Sequence, residues 1–343
     1  MSWWQVILFP VSCLYNLGTS LRNHLYNIGY SKAFDFDVNV ISVGNLTVGG
    51  TGKSPMVMYL AKLLRNANKE VAVLSRGYKR KSTGQVFADQ ESTALDIGDE
   101  PLMIYKRFQG EVPVAVSEDR VLGVPSILLD HPDTEVILLD DAYQHRRIGR
   151  NLNILLTTYS RPFYRDHVLP TGLLRENRNG ADRADILIIT KCPDSLTHDE
   201  MEAIKKECRV YASDTEIFFT ATQYGDAVGP GNLPKSWIAV SGIAGNDSFL
   251  DWCEGQYPIK SKYAFPDHHR YSKKDILKIT RELEGDVGLI TTEKDFVKLV
   301  EFSELDTSKC YYVPIEIKLL EDTSFFQDLI FQSLRQYKDS PVR

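Results

Sequence analysis

The stretch Thr47-Val48-Gly49-Gly50-Thr51-Gly52-Lys53-Ser54 has the residue types needed to hold a polyphosphate. Backbone N–H groups are the donors, glycines let a turn face them inward, and a helix starting behind the turn adds the positive end of its dipole. In such a loop Lys53 reaches the β- and γ-phosphates of a nucleotide and the Ser54 hydroxyl holds Mg²⁺. The usual pattern, G-x-x-x-x-G-K-[ST], opens on a glycine where this chain has Thr47. The alternative is a glycine-rich turn in which Gly-Lys-Ser occurs by chance. Nucleotide binding is favoured because a β-branched run, Val38 to Val43, precedes the turn and an apolar-periodic helix, Met56 to Leu64, follows it. Pro55 falls in the first helical turn, where proline is tolerated.

Carboxylates supply the second half of this chemistry. Val136-Ile-Leu-Leu139 runs into Asp140 and Asp141, a buried strand delivering two acids to a sheet edge, as in the Walker-B arrangement that holds Mg²⁺ directly or through water. Asp99 and Glu100 stand before Pro101 at a helix start. They either cap that helix or bring a carboxylate to an acceptor hydroxyl, which phosphoryl transfer requires for orientation and proton removal. Arg120, after Val114-Ala-Val116, reads as the terminal arginine of a strand, either neutralising transition-state charge or making a surface ion pair. In Phe265-Pro-Asp267-His268-His269 the adjacent histidines point apart, which argues against a joint metal site. They are either surface residues or, paired with an acid, a proton carrier. The basic run Arg76 to Lys81 follows the strand Glu70 to Ser75, at the carboxyl edge where α/β sheets bind ligands.

The elements that must position these groups form an alternation of strands and helices. It predicts an α/β fold, a P-loop NTPase-like doubly wound sheet over residues 31–224, then a smaller α/β domain over 225–343 whose first stretch, Gly225 to Lys235, reads as a linker or a β connection. Residues 1–30 stand apart. Met1 to Leu21 contains no charged residue, yet Pro10, Ser12 and Asn16 interrupt it and it falls short of the roughly 20 clean apolar residues of a spanning helix. Ile7, Val11, Leu14, Leu21, Leu25 and Ile28 share one helical face, so an amphipathic helix is predicted. It either lies in a membrane interface with Trp3 and Trp4 at headgroup level or docks on the protein's own core. A net charge of −6 argues against a general nucleic-acid binder, and five cysteines without a C-x-x-C pair indicate neither zinc nor a disulfide framework.

Taken together, Val43 to Pro55, Ser75-Arg-Gly-Tyr78, Gly98-Asp-Glu-Pro101, Asp140-Asp141 with Gln144-His145, Leu169 to Glu176, Phe265 to His269 and Thr291-Thr-Glu-Lys-Asp295 closely resemble the tetraacyldisaccharide 4′-kinase family, the lipid A kinases of Gram-negative bacteria. In that family Thr47 is a normal variant. The resemblance implies transfer of the γ-phosphoryl group of ATP, with Mg²⁺, to the 4′-hydroxyl of a tetraacylated glucosamine disaccharide 1-phosphate. It implies a monomer at the cytoplasmic face of the inner membrane, held there through residues 1–30. It also implies Asp99 as general base partnered by His268, with Glu100, Asp140 and Asp141 around Mg²⁺. Lys53, Ser54 and the loop amides would bind ATP, Arg120 and Arg175 would neutralise phosphates, and Tyr78 would contact the sugar. With Asp99 assigned to the first domain and His268 to the second, the pair is expected to assemble only on domain closure. The competing readings are a nucleotide-dependent switch that phosphorylates nothing and a membrane-anchored binding protein with a dead nucleotide site. Thr190-Lys-Cys-Pro193, the nearest approach to a guanine-specific N-K-x-D, lacks the aspartate.

Overall fold

The computed structural model describes residues 3–338, except for the side chains of Trp4 and of residues beyond Leu334. Met1, Ser2 and the Trp4 side chain, all part of the expected membrane-facing stretch, lie outside the described residues. The chain forms two compact units. One takes the chain up to Arg76, then Asp119–Thr222 and the chain from Ile317 on; the other takes Gly77–Glu118 and Gln223–Glu316.

The first unit is built on parallel strands in the order Glu216–Tyr224, Ile186–Thr190, Leu152–Thr158, Asn39–Asn45, Val136–Asp140 and Val71–Ser75. Asn39–Asn45, Val71–Ser75, Val136–Asp140 and Ile186–Thr190 are buried along their whole length. That is the pattern of strands covered on both faces, and it explains the unbroken Val, Ile and Leu runs in the sequence. The chain leaves the central strand Asn39–Asn45 toward one edge, and after Val136–Asp140 it continues toward the other. The carboxyl end of that strand is therefore the switch point where doubly wound folds bind ligands. Helix Lys53–Asn66 follows directly and buries Met56, Val57, Leu60, Ala61 and Leu64, the spacing of one helical face.

Helix Trp3–Asn27 runs through Pro10 and turns the wrong way for a helix docked on a core. Trp3, Ile7, Leu14, Leu17 and Leu21 are 56–77% exposed, whereas Ser12 is 5% exposed. The face against the protein is polar. Ser12 Oγ donates to Val168 O and Thr171 Oγ1, Gln5 Nε2 to Thr171 O and Tyr15 OH to Arg175 O. Arg146 donates to Asn23 O and Asn27 Oδ1. Among the described residues no helix is long and apolar enough to cross a membrane.

The second unit has a four-stranded parallel sheet in the order Ile259–Ala264, Ser236–Ser241, Val287–Thr292, Cys310–Val313. Alternate residues of the second strand face opposite cores: Trp237 and Ala239 meet Phe249, Cys253 and Tyr311, while Ile238 and Val240 meet Ile276, Ile279 and Leu299. Residues 77–118 join this unit. The expected continuous domain 31–224 thus differs from the grouping of the chain, and the reason is packing that no local pattern announces. Helix Asp99–Arg107 lies against helix Glu293–Leu299, Arg107 forks the Glu293 carboxylate, and Glu301 Oε1 accepts from Ala94 N at 2.8 Å. Arg120 also departs from its expected place. Its strand stops at Val116, and Arg120 opens helix Arg120–Asp130, capped by Asp119.

Gly44 shows how closely the first unit is packed beside its switch point: a Cβ there would lie 2.7 Å from both Cβ and N of Tyr143. Because one of those neighbours is backbone, Gly44→Ala is expected to lower the unfolding free energy by about 1–3 kcal/mol. An unshifted midpoint in urea would show that the Tyr143 segment yields instead.

Candidate active site

The first unit builds the phosphate loop. Gly52, at φ 83°, ends the turn, and Gly49 has φ 112°, a region where a β-carbon is strained. The turn is braced from several sides. Asn45 Nδ2 donates to Thr51 Oγ1 at 2.8 Å and Thr190 Oγ1 donates to Thr51 O at 2.9 Å. Across the open side, Val48 N donates to Leu173 O and Arg175 N to Leu46 O at 2.8 and 2.7 Å. Residues 173–175 thereby run alongside Leu46–Val48 as a backbone splint. Lys53 and Ser54 occupy the first two positions of the helix, and Lys53 Nζ lies 3.9 Å from Asp141 Oδ2.

Register brings the second acid to this place. Asp140 pairs with Val43 across the sheet, so the aspartate strand ends beside the strand that feeds the loop. Asp140 is buried, with Ser75 Oγ donating to its Oδ2 at 3.4 Å. Asp141 takes the left-handed conformation at φ 48°, and Arg175 forks its carboxylate at 2.8 and 3.1 Å. Burial works to raise the Asp141 carboxyl, but Lys53 and Arg175 outweigh it and hold it below the usual range. Arg175, expected on a phosphate, is thus engaged with Asp141. Arg120 is buried too. Its Nη2 donates to the carbonyls of Asp140 and Asp141 at 2.8 and 3.1 Å, so the guanidinium fixes the backbone that presents the two acids.

The second unit contains Asp99 and His268 together, already bonded. His268 Nδ1 is 2.9 Å from Asp99 Oδ2 and 3.3 Å from Oδ1, so the expectation that the pair joins only on domain closure does not hold. Asp99 is the first residue of helix Asp99–Arg107, after Gly98 at φ 96°. His268 itself has φ 55°, an uncommon backbone state held by its N–H donating to Asp267 Oδ1 and by Arg270 donating to Lys79 O. The Tyr78 ring, 61% exposed, meets the imidazole edge-on at 5.2 Å.

Two lysines on helix Glu293–Leu299 complete this cluster, and sequence reasoning assigned neither a role. Lys294 Nζ lies 3.2 Å from Glu100 Oε1, 3.2 Å from Asp267 Oδ1, 3.3 Å from His268 Nε2 and 3.8 Å from Asp99 Oδ2. Lys298 Nζ is 4.0 Å from Asp99 Oδ2 and 2.8 Å from Asp295 Oδ1. The available signal was position, since Glu293-Lys294-Asp295 directly follows a buried strand and so falls at a carboxyl edge. Burial favours a neutral Asp99, but the His268 hydrogen bond and the two ammonium groups prevail and hold its carboxyl at about 2. Burial likewise works against the Lys294 charge, and Glu100, Asp99 and Asp267 keep its pKa above the ordinary lysine range. Chemically, the first unit offers amides and an ammonium group to a polyphosphate, and the second an ionised carboxylate that accepts from an imidazole.

Among the described residues no group of three or more His, Cys, Asp or Glu side chains is arranged to hold a metal ion. The donors present still suit Mg²⁺, which keeps several waters and takes one or two protein oxygens beside substrate phosphates. Ser54 and Asp140 are such donors. Asp141 and Glu100, expected beside them, are matched by Arg175 and Lys294 instead.

A family model described as tetraacyldisaccharide-1-P 4′-kinase matches residues 4–335. The tetraacyldisaccharide 4′-kinase of Flavobacterium johnsoniae is 40% identical over 338 residues, covering 96% of this chain and 97% of that protein. That of Cytophaga hutchinsonii is 40% identical over 328 residues, covering 93% and 92%. The crystal structure of LpxK from Aquifex aeolicus, an "apo" form in complex with ATP, superposes with a TM-score of 0.78 at 32% identity, over 96% of this chain and 99% of that one. With the family model spanning nearly the whole chain and its relatives matched end to end, this chain belongs to the tetraacyldisaccharide 4′-kinase family.

Proposed function

We propose that this protein transfers the γ-phosphoryl group of ATP to the 4′-hydroxyl of a tetraacylated glucosamine disaccharide 1-phosphate in lipid A synthesis, a reading supported by its family, whose members are named tetraacyldisaccharide 4′-kinases, and by a related structure in complex with ATP. The observation that carries this reading is the pairing of a splinted phosphate loop with an ionised, hydrogen-bonded Asp99 elsewhere in the same chain. A switch needs the first and has no use for the second.

In the reaction the 4′-oxygen forms a bond to the γ-phosphorus and the bond from that phosphorus to the bridging oxygen breaks, its electron pair leaving with ADP. The hydroxyl proton passes to a carboxylate oxygen of Asp99. The transition state is loose, so positioning and charge neutralisation do most of the work. The loop amides and Lys53 supply these to the phosphates. Mg²⁺ neutralises the phosphate oxygens when bound, with Ser54 and Asp140 as its protein-side donors. Arg120 and Arg175 hold Asp140 and Asp141 in place, and Tyr78, exposed beside His268, is the side chain offered to the sugar.

The acyl chains of such a substrate stay in a bilayer, and the outward apolar face of helix Trp3–Asn27 matches that setting. The enzyme accordingly works as a peripheral protein at the cytoplasmic face of the inner membrane, anchored by this helix.

Asp99→Ala is expected to lower kcat about 10²–10⁴-fold while leaving the KM for ATP little changed, because it removes proton acceptance and no nucleotide contact. Transfer of ³²P from ATP to the lipid checks it, and undiminished turnover would take the base role away from Asp99. Lys53→Ala is expected to abolish use of ATP in the same assay, and full activity would refute the phosphate-loop assignment. Replacing Ile7, Leu14 and Leu21 together by Glu should release the protein from phospholipid vesicles without shifting Tm, since all three are exposed. Continued co-sedimentation would rule out this helix as the anchor.

A further inference from the structure

We infer that Lys294 is a positioning residue that assigns proton acceptance to Asp99, and withholds it from His268, by occupying the Nε2 side of the imidazole. An ammonium group has three donors and no acceptor. At 3.3 Å from Nε2, Lys294 therefore requires that nitrogen to accept, which places the single ring proton on Nδ1. Nδ1 faces Asp99 Oδ2 at 2.9 Å and Oδ1 at 3.3 Å, so the ring donates to the carboxylate. With its Nε2 lone pair taken, the imidazole has none left for a substrate proton; of the Asp99 oxygens, Oδ1 also accepts from Glu100 N at 3.0 Å, and Oδ2 keeps a lone pair for it.

The surroundings hold Lys294 to this task. Its charge is matched by Glu100 and Asp267, each at 3.2 Å, with Asp99 at 3.8 Å. A cation so compensated is poorly suited to bind phosphate. Lys298 cannot substitute for it, being 2.8 Å from Asp295 and donating to His269 O. The other groups facing His268 are the Tyr78 ring and Asp267, whose Oδ2 is 3.7 Å from Nε2. Without Lys294 the ring is free to carry its proton on Nε2 and turn an Nδ1 lone pair toward the Asp99 carboxylate. That arrangement repels, and it loosens the base.

This inference rests on the proposed kinase reading, and the test separates the two. The full chain is labelled with ¹⁵N-histidine, and the His268 ring signals are identified among the seven histidines by their loss in His268→Gln. The unmutated protein is expected to show a protonated Nδ1 and an unprotonated Nε2. Lys294→Met should change that pattern and lower kcat about 10- to 100-fold with the KM for ATP held, as misplacement of a reacting group does. Lys294→Arg, which also presents donors to Nε2, should restore the pattern and part of the rate. An Nε2-protonated or doubly protonated ring in the unmutated protein would overturn the assignment whatever the variants do. So would Lys294→Met with unchanged ring signals, whether kcat is retained or falls together with Tm. Failure of the unmutated protein to phosphorylate the lipid would strike the kinase reading alone, leaving the ring signals to decide the tautomer.

Discussion

A loop that binds phosphate through its backbone must be rigid without side chains of its own to hold it, and the first unit is organised around that constraint. Glycines at positions 49, 50 and 52 leave the amides open but give the turn the largest conformational entropy to lose. The loss is offset by neighbours. A strand buried on both faces enters the turn, a helix with a continuous buried face leaves it, and Asn45, Thr190 and residues 173–175 bond its flanks. Each such hydrogen bond contributes about 0.5–1.5 kcal/mol net. Their value here is specificity of shape more than stability, because amides that are already oriented need not be ordered when a nucleotide arrives.

The second unit solves a different problem. Carboxylates that are buried at Asp99 and Asp295 and half-buried at Glu100 and Asp267 crowd together, and such a group holds together only when its charges are matched, since removing one partner leaves an uncompensated ion. Lys294 and Lys298 provide the match, and together with the His268 hydrogen bond, which lowers it most, they keep Asp99 ionised with its carboxyl at about 2. That makes it a weak base at rest. Phosphoryl transfer tolerates this, because in a loose transition state the attacking oxygen has formed little of its new bond and the proton need only be oriented until late. A carboxylate that is reliably charged and fixed serves such a reaction better than a stronger base in a variable position.

Much of the first unit was legible because its signals are local. The turn chemistry of residues 47–54, the unbroken apolar strands and the acids ending Val136–Asp140 are each written in consecutive residues. What escaped depends on distant packing. Residues 77–118 read as one more repeat of the alternation, and only the fit of helix Asp99–Arg107 against helix Glu293–Leu299 shows which core they serve. Arg120 and Arg175 illustrate a subtler limit. Their residue type suits phosphate, but whether an arginine meets a ligand or braces an acid is decided by a few ångströms of tertiary geometry. Lys294 was hidden similarly, because a charged residue after a strand is usually just solvated.

Helix Trp3–Asn27 inverts the normal logic of amphipathic packing, and the energetics favour a partner outside the protein. Burying a large aliphatic side chain is worth about 1.5–3 kcal/mol, and Ile7, Leu14, Leu17 and Leu21 forgo it by facing outward. In exchange the inward face has hydrogen bonds from Gln5, Ser12 and Tyr15, each of modest net value. A helix stabilised only in this way is marginal against its own conformational entropy. A bilayer interface changes the balance, since it accepts the apolar face without disturbing the polar contacts. The same hydrogen bonds then gain a purpose. Thr171 and Arg175, which receive donors from the helix, belong to the segment whose residues 173–175 splint the phosphate loop, so helix Trp3–Asn27 is tied to that loop by a continuous run of backbone.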